Sequence, residues 1–151
     1  MTELTIFKTG DNLSAIDTTY DSADAVTTKV FAVSPGPLTI LSNFAGPTSI
    51  EVEFSFTTGG SPQNPPAATD TNWYTLVGMT GAAVSSTVSV LPGRSCVDPS
   101  IRGLAADDTL KWGGRIPPYM SWMRVRIKKT GAAAVTSLNL SVFCNTPSYS
   151  S

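Results

Sequence analysis

The chain has 151 residues, 41% of them hydrophobic and 14% charged, with a formal net charge of −1, enough apolar material for one domain with its own core and too little length for two. Charged residues fall well below the roughly 25% of an average chain, while short periodic apolar runs recur throughout, which excludes a disordered polymer and a long-helix protein. No apolar run approaches the ~20 residues of a membrane span, and a chain this near neutrality lacks the basic footprint of a nucleic-acid or membrane-surface binder.

The first 25 residues carry Asp11, Asp17, Asp21 and Asp24, many Ser and Thr, and one compact apolar run, "LTIF". Nothing in them has the basic and apolar regions of a signal peptide, so the expectation is a soluble chain made in the cytosol. Residues 1–25 read as an N-terminal arm whose Leu4, Ile6 and Phe7 need a surface from elsewhere; an ordinary first strand followed by a loop stays open as the other reading.

Residues 26–151 read as a single β domain. Candidate strands are 26–33, 37–42, 48–56, 72–79, 84–91, 120–128 and 135–143, separated by "SPGP", "FAGP", "TTGGSPQNPPAATD", "TGAA", "PGRS", "GGRIPP" and "KTGAA". The separators supply the positive-φ glycines and fixed-φ prolines that reverse a chain. About seven or eight short strands at this spacing predict an antiparallel β-sandwich or jelly roll. In "SIEVEFSF", Ile50, Val52, Phe54 and Phe56 share one face and Glu51, Glu53 and Ser55 the other. In "WMRVRIK", Met123, Val125 and Ile127 point inward, with Trp122, Arg124, Arg126 and Lys128 outward. In "SLNLSVF", Leu138, Leu140 and Val142 point inward, and the turn "KTGAA" predicts that these last two strands form an antiparallel hairpin. Residues 93–118 are the least regular stretch, with a helical turn expected near "SIRGLAADD".

Catalytic chemistry has little to work with. The chain has no histidine, which removes the commonest general base and the imidazole metal sites. Cys96 and Cys144 are too far apart in sequence for a metal knuckle or a redox pair; free thiols are the default without a signal sequence, and a disulfide between the two stays open as the other reading. Asp98, Asp107 and Asp108 sit in turn contexts, and Glu51 and Glu53 on the wet side of a strand, so no acid/base pair stands out. The glycine-rich stretches lack the lysine and helix of a phosphate loop. The reading is therefore a non-enzyme without cofactor or metal.

Charge is divided along the chain. Residues 1–70 hold eight acids and two bases (−6), and 71–151 hold three acids and eight bases (+5). Arg124, Arg126 and Lys128 alternate outward beside Trp122, and three partners suit them: Glu51 and Glu53 of their own sheet, another protein surface, or single-stranded nucleic acid, the last disfavoured by the overall charge. Trp73, Tyr74 and Trp112 are candidate platforms for a sugar ring, or core residues.

The runs "TNWYTLVGMTG" and "IPPYMSWMRVRIKKTGAAAVTSLNLSVF" resemble small β-sandwich proteins of tailed bacteriophages, especially capsid decoration (cement) proteins: Trp73 to Leu76, Pro118 to Arg126 and Thr130 to Phe143 carry the likeness, over about half the chain. The resemblance implies a subunit on the capsid surface of a virion assembled in the host cytoplasm, often a homotrimer, that binds the major capsid protein and bridges capsomers. Leu4, Ile6, Phe7, Glu51, Glu53, Trp122, Arg124, Arg126 and Lys128 are the candidate capsid or subunit contacts. The alternative is a glycan-binding sandwich or tail component using Trp73, Tyr74 and Trp112.

Overall fold

Strands with one apolar and one polar face bury the apolar faces by stacking two sheets, and the chain does this. The computed structural model describes residues 1–46, 49–58, 64–74, 87–97 and 115–147. Among them are nine strands: β1 (Thr2–Phe7), β2 (Thr28–Ala32), β3 (Gly36–Ala45), β4 (Ile50–Thr57), β5 (Thr87–Val90), β6 (Gly93–Val97), β7 (Arg115–Ile116), β8 (Trp122–Lys129) and β9 (Ser137–Cys144). A short 3-10 turn, Leu13–Ala15, follows β1 and is capped by the Asn12 side chain, which accepts from the Ser14 N–H at 3.1 Å.

One sheet, sheet A, runs β1-β9-β3-β6, with β7 pairing with β3 as well; the other, sheet B, runs β2-β8-β4-β5. All pairs are antiparallel. The pairs β1·β9, β2·β8, β3·β6 and β4·β5 are those of one long ribbon doubled back between β4 and β5. Rolling that ribbon brings β9 beside β3 and β8 beside β4, which is the strand order of a jelly roll. The all-β sandwich expected from the periodicity is the architecture observed. Its core holds the inward residues of both sheets: Leu38, Ile40 and Phe44 of β3, Ile50, Val52, Phe54 and Phe56 of β4, Met123, Val125 and Ile127 of β8, and Leu138, Leu140 and Val142 of β9 are all buried.

Rolling leaves little room where strands change sheets. At the β2–β3 corner, Gly36 has φ 145° and the Asn145 side chain, which donates to the Pro35 carbonyl at 3.2 Å, occupies the space a Cβ would need.

Several expectations differ from what forms. Residues 1–25 are built into the sandwich instead of extending from it. β1 is an edge strand on β9, and Ile6, Phe7 and Ile16 lie in the core, because the surface that "LTIF" requires is the chain's own. The last two long strands are not a hairpin: β8 lies in sheet B and β9 in sheet A, so residues 130–136 carry the chain across the core. β6 and β7 fall in the stretch read as irregular, where five and two residues pair with β3. Of the candidate strand 72–79, Tyr74 makes an isolated antiparallel bridge to Phe56, and 75–79 lie outside the described residues, as does the expected helical turn near "SIRGLAADD".

Candidate functional site

The outer face of sheet B is where most of the candidate contacts gather. Register sets Glu51 opposite Lys128, Glu53 opposite Arg126 and Ser55 opposite Arg124, so two of the three outward cations on β8 meet an acid on β4 and the third, Arg124, donates to the Ser55 hydroxyl at 3.3 Å. Glu53 accepts from Arg126 Nε at 2.8 Å and pairs with its Nη2 as well, while Arg124 Nη2 stands 3.9 Å away. Lys128 and Glu51 pair at 3.2 Å.

This face is roofed. The segment between β1 and β2 lays Tyr20 over Arg126 and Lys128, at 5.0 and 5.1 Å from the ring centroid, and Arg126 Nη1 donates to the Ser22 hydroxyl at 2.9 Å. The segment after β4 lays Trp73 over Arg124 at 5.3 Å, with the indole N–H donating to the Ala67 carbonyl at 3.1 Å and Arg124 Nη1 donating to the Ala68 carbonyl at 2.9 Å. Cation–π contacts of this kind gain strength as the pair loses water. Arg124 is accordingly only 8% exposed, and Trp122 is buried too. Burial lowers the Arg124 pKa, neighbouring Arg126 adding and Glu53 opposing. Burial pushes the Tyr20 hydroxyl up to about 12, with Glu53 and Glu51 adding to the rise and Arg126 opposing it.

The candidate contacts therefore divide by place. Glu51, Glu53, Arg124, Arg126 and Lys128 form one ladder under a roof, with Trp122 at the start of the same strand. Ile6 and Phe7 are buried in the core and Leu4 packs against it, half-buried. Of the alternative platforms, the Trp73 ring carries Arg124, Tyr74 is exposed, and Trp112 lies outside the described residues. Among the described residues no group of three or more His, Cys, Asp or Glu could hold a metal ion, and no helix is long and apolar enough to cross a membrane.

A residue the sequence reading passed over stands at one end of the sandwich. Between β7 and β8 the Met120 N–H donates to the Pro117 carbonyl at 3.4 Å, with Pro118 and Tyr119 between them and Tyr119 at φ 69°. Proline second and a positive φ third are the marks of a type II turn, in which the third position favours glycine. Tyr119 sits there 89% exposed. Its turn is firmly mounted: the Ser121 N–H donates to the Thr57 carbonyl, and the Ser121 carbonyl accepts from the Val33 N–H, both at 3.0 Å, while Met120 packs against the core. Pairing of Thr2 with Cys144 and of Tyr74 with Phe56 sets exposed Met1 and Tyr74 at this same end. The signal in the sequence is "PPYM", where a proline precedes an aromatic in a turn.

Comparison of the chain with protein-family models, curated proteins and solved structures finds no match.

Proposed function

We propose that the chain is a virion structural protein of the capsid-decorating kind, which attaches to the major capsid protein through the end that bears Tyr119. The carrying observation is an aromatic side chain held in solvent by backbone that disfavours it. A non-glycine residue in the left-handed region costs roughly 1–2 kcal/mol, and Tyr119, 89% exposed, recovers almost none of that by burial within the chain. Strain without internal return fits a contact residue, and tyrosine is a preferred anchor at protein interfaces. Exposed Met1 and Tyr74 give the same end further apolar area.

The remainder of the structure suits a mechanical task. The ladder on sheet B pairs Arg126 and Lys128 with Glu53 and Glu51 within the chain, so it stiffens the subunit and leaves recognition to other surfaces. Many copies on a shell add their modest contacts by avidity, and the trimer implied by the resemblance would multiply them. The test is Tyr119→Gly, which removes the ring and relieves the backbone together. Binding of the purified variant to heads of the encoding phage that lack the protein should fall by at least about tenfold, the worth of one interface anchor, with the fold intact. Unchanged binding would overturn the role of this end, and light scattering of the free chain reports whether it is a trimer before it meets a particle.

A further inference from the structure

The two outer faces of the sandwich are unlike. Sheet B is roofed by the chain's own segments, whereas the outer side of sheet A holds a shallow concavity of about 480 Å³ crossing β9, β3 and β6. Its floor is set by register. Asn139, Asn43 and Arg94 lie directly opposite one another on three neighbouring strands, and Ser141, Leu41 and Cys96 form the next row on the same face. Opposed residues project to the same side of a sheet, and adjacent strands are about 4.8 Å apart.

The polar groups of this row are largely unspent. Neither Arg94 nor Asn43 makes a side-chain hydrogen bond or ion pair with any described residue. Asn139 accepts from the Thr9 hydroxyl at 3.3 Å through Oδ1, which leaves its NH₂ group free. Two amides, a guanidinium and flanking hydroxyls thus face solvent across about 10 Å, two strand spacings. Leu41, an exposed apolar residue, lies in the middle of the adjoining row.

We propose that this concavity binds an acidic polysaccharide whose chain runs across the strands, with Arg94 holding a uronate carboxylate and Asn43 and Asn139 the hydroxyls of neighbouring sugars. Side-chain amides carry donors and acceptors that match vicinal hydroxyl pairs, and the guanidinium fork matches a carboxylate. Leu41 supplies an apolar surface for the C–H side of a pyranose ring. The spacing between strands is close to the rise of one sugar unit in an extended chain, so each strand addresses one unit. A peptide laid in the same direction advances about 3.4 Å per residue and falls out of step with the row. Among the described residues the lining of the concavity has no aromatic side chain of the kind that centres a protein interface or stacks single-stranded nucleic acid; half-buried Phe143 lies on the same outer face, one row beyond Ser141. This site is separate from the end bearing Tyr119 and does not depend on the capsid reading.

The test is titration of the purified chain, by calorimetry, with a short oligogalacturonate, a neutral cello-oligosaccharide of matching length and a poly-glutamate peptide. Saturable binding of the oligogalacturonate, weaker binding of the neutral sugar, and a loss of at least about tenfold on Arg94→Gln, as expected for one charge-assisted pair, are the results that support the site. Cys96 offers a second readout on the unaltered chain, since it is exposed in the adjoining row and Cys144 is buried. Bound oligogalacturonate should slow alkylation of Cys96. No binding, binding indifferent to Arg94→Gln, or Cys96 alkylation unchanged at saturation would overturn the proposal. Equal affinity for poly-glutamate would overturn it in favour of an acidic protein partner.

Discussion

Glu51 and Glu53 are two residues apart on one strand, each facing a cation across the sheet, and replacing each by glutamine should have very different consequences. Glu53 has a side chain 17% exposed and serves Arg126 and, at longer range, Arg124, while Glu51 is 31% exposed and serves Lys128 alone. Removing one member of a fully buried ion pair costs about 3–5 kcal/mol, because the remaining charge is left without compensation. Glu53 keeps some water and glutamine keeps an acceptor oxygen, which brings Glu53→Gln to about 2–3 kcal/mol. For a chain of this size that is a fall in Tm of roughly 4–12 °C. Glu51→Gln removes a pair in contact with solvent, worth under about 1 kcal/mol. Thermal and urea unfolding at neutral pH measure both. Raising the salt to 1 M should erase most of the Glu51 effect and little of the Glu53 effect, since screening acts on pairs that water reaches. Adding Arg126→Gln to Glu53→Gln should recover part of the loss as a positive coupling. Equal costs at the two positions, or a Glu53 cost that vanishes in salt, would refute the roof as the source of the difference.

Tyr20 makes the stability of the roof pH-dependent. Its hydroxyl is raised from 10.0 to about 12 by burial, so its contribution is whole below pH 10 and drains away as the pH climbs toward 12; after allowance for its partial exposure the loss is on the order of 1 kcal/mol. Tyr20→Phe should flatten that part of an alkaline stability profile, and an unchanged slope would assign it elsewhere. Ser42 points inward from β3 with a buried hydroxyl that has no partner among the described residues, and Ser42→Ala should raise stability by about 1 kcal/mol in urea unfolding. Tyr119→Gly should stabilise the isolated chain by about 0.5–1 kcal/mol, the relief of φ 69° less the added freedom of an unfolded glycine; a lower Tm would show that the ring packs on its neighbours.

Period-two patterning carried the fold a long way. Ile50 to Phe56, Met123 to Ile127 and Leu138 to Val142 announced their inner faces, and every one of those side chains is buried. Patterning says which side of a strand is dry and not which strand lies beside it, so β8 and β9, each with one dry face, read as a hairpin although they sit on opposite walls of the core. The same limit hid the roof. Arg124 and Trp122 look outward by alternation and do point away from the core, yet Trp73 and the Tyr20 segment cover that face from far along the chain. The pairing of Glu51 and Glu53 with β8 was among the readings of the charges, since opposite signs at the same period on two strands can meet only in a few registers. Tyr119 had a turn signal in its preceding proline, but nothing local marks a tyrosine as occupying the place of a glycine.

The position of β9 has a consequence for how the molecule comes into being. Ser137–Cys144 is the last of the nine strands in chain order, yet it lies inside sheet A, between the first strand and the third. Until it arrives, β1 has no neighbour and β3 lacks one side, so a nascent chain held at the ribosome exposes two open edges together with the apolar faces of Ile6, Phe7 and Leu38. Closure joins residues almost the full chain apart, the slowest kind of contact to form. A synthesis pause or a truncation before residue 137 would thus leave an adhesive half-sheet, a hazard for any product made in many copies at once.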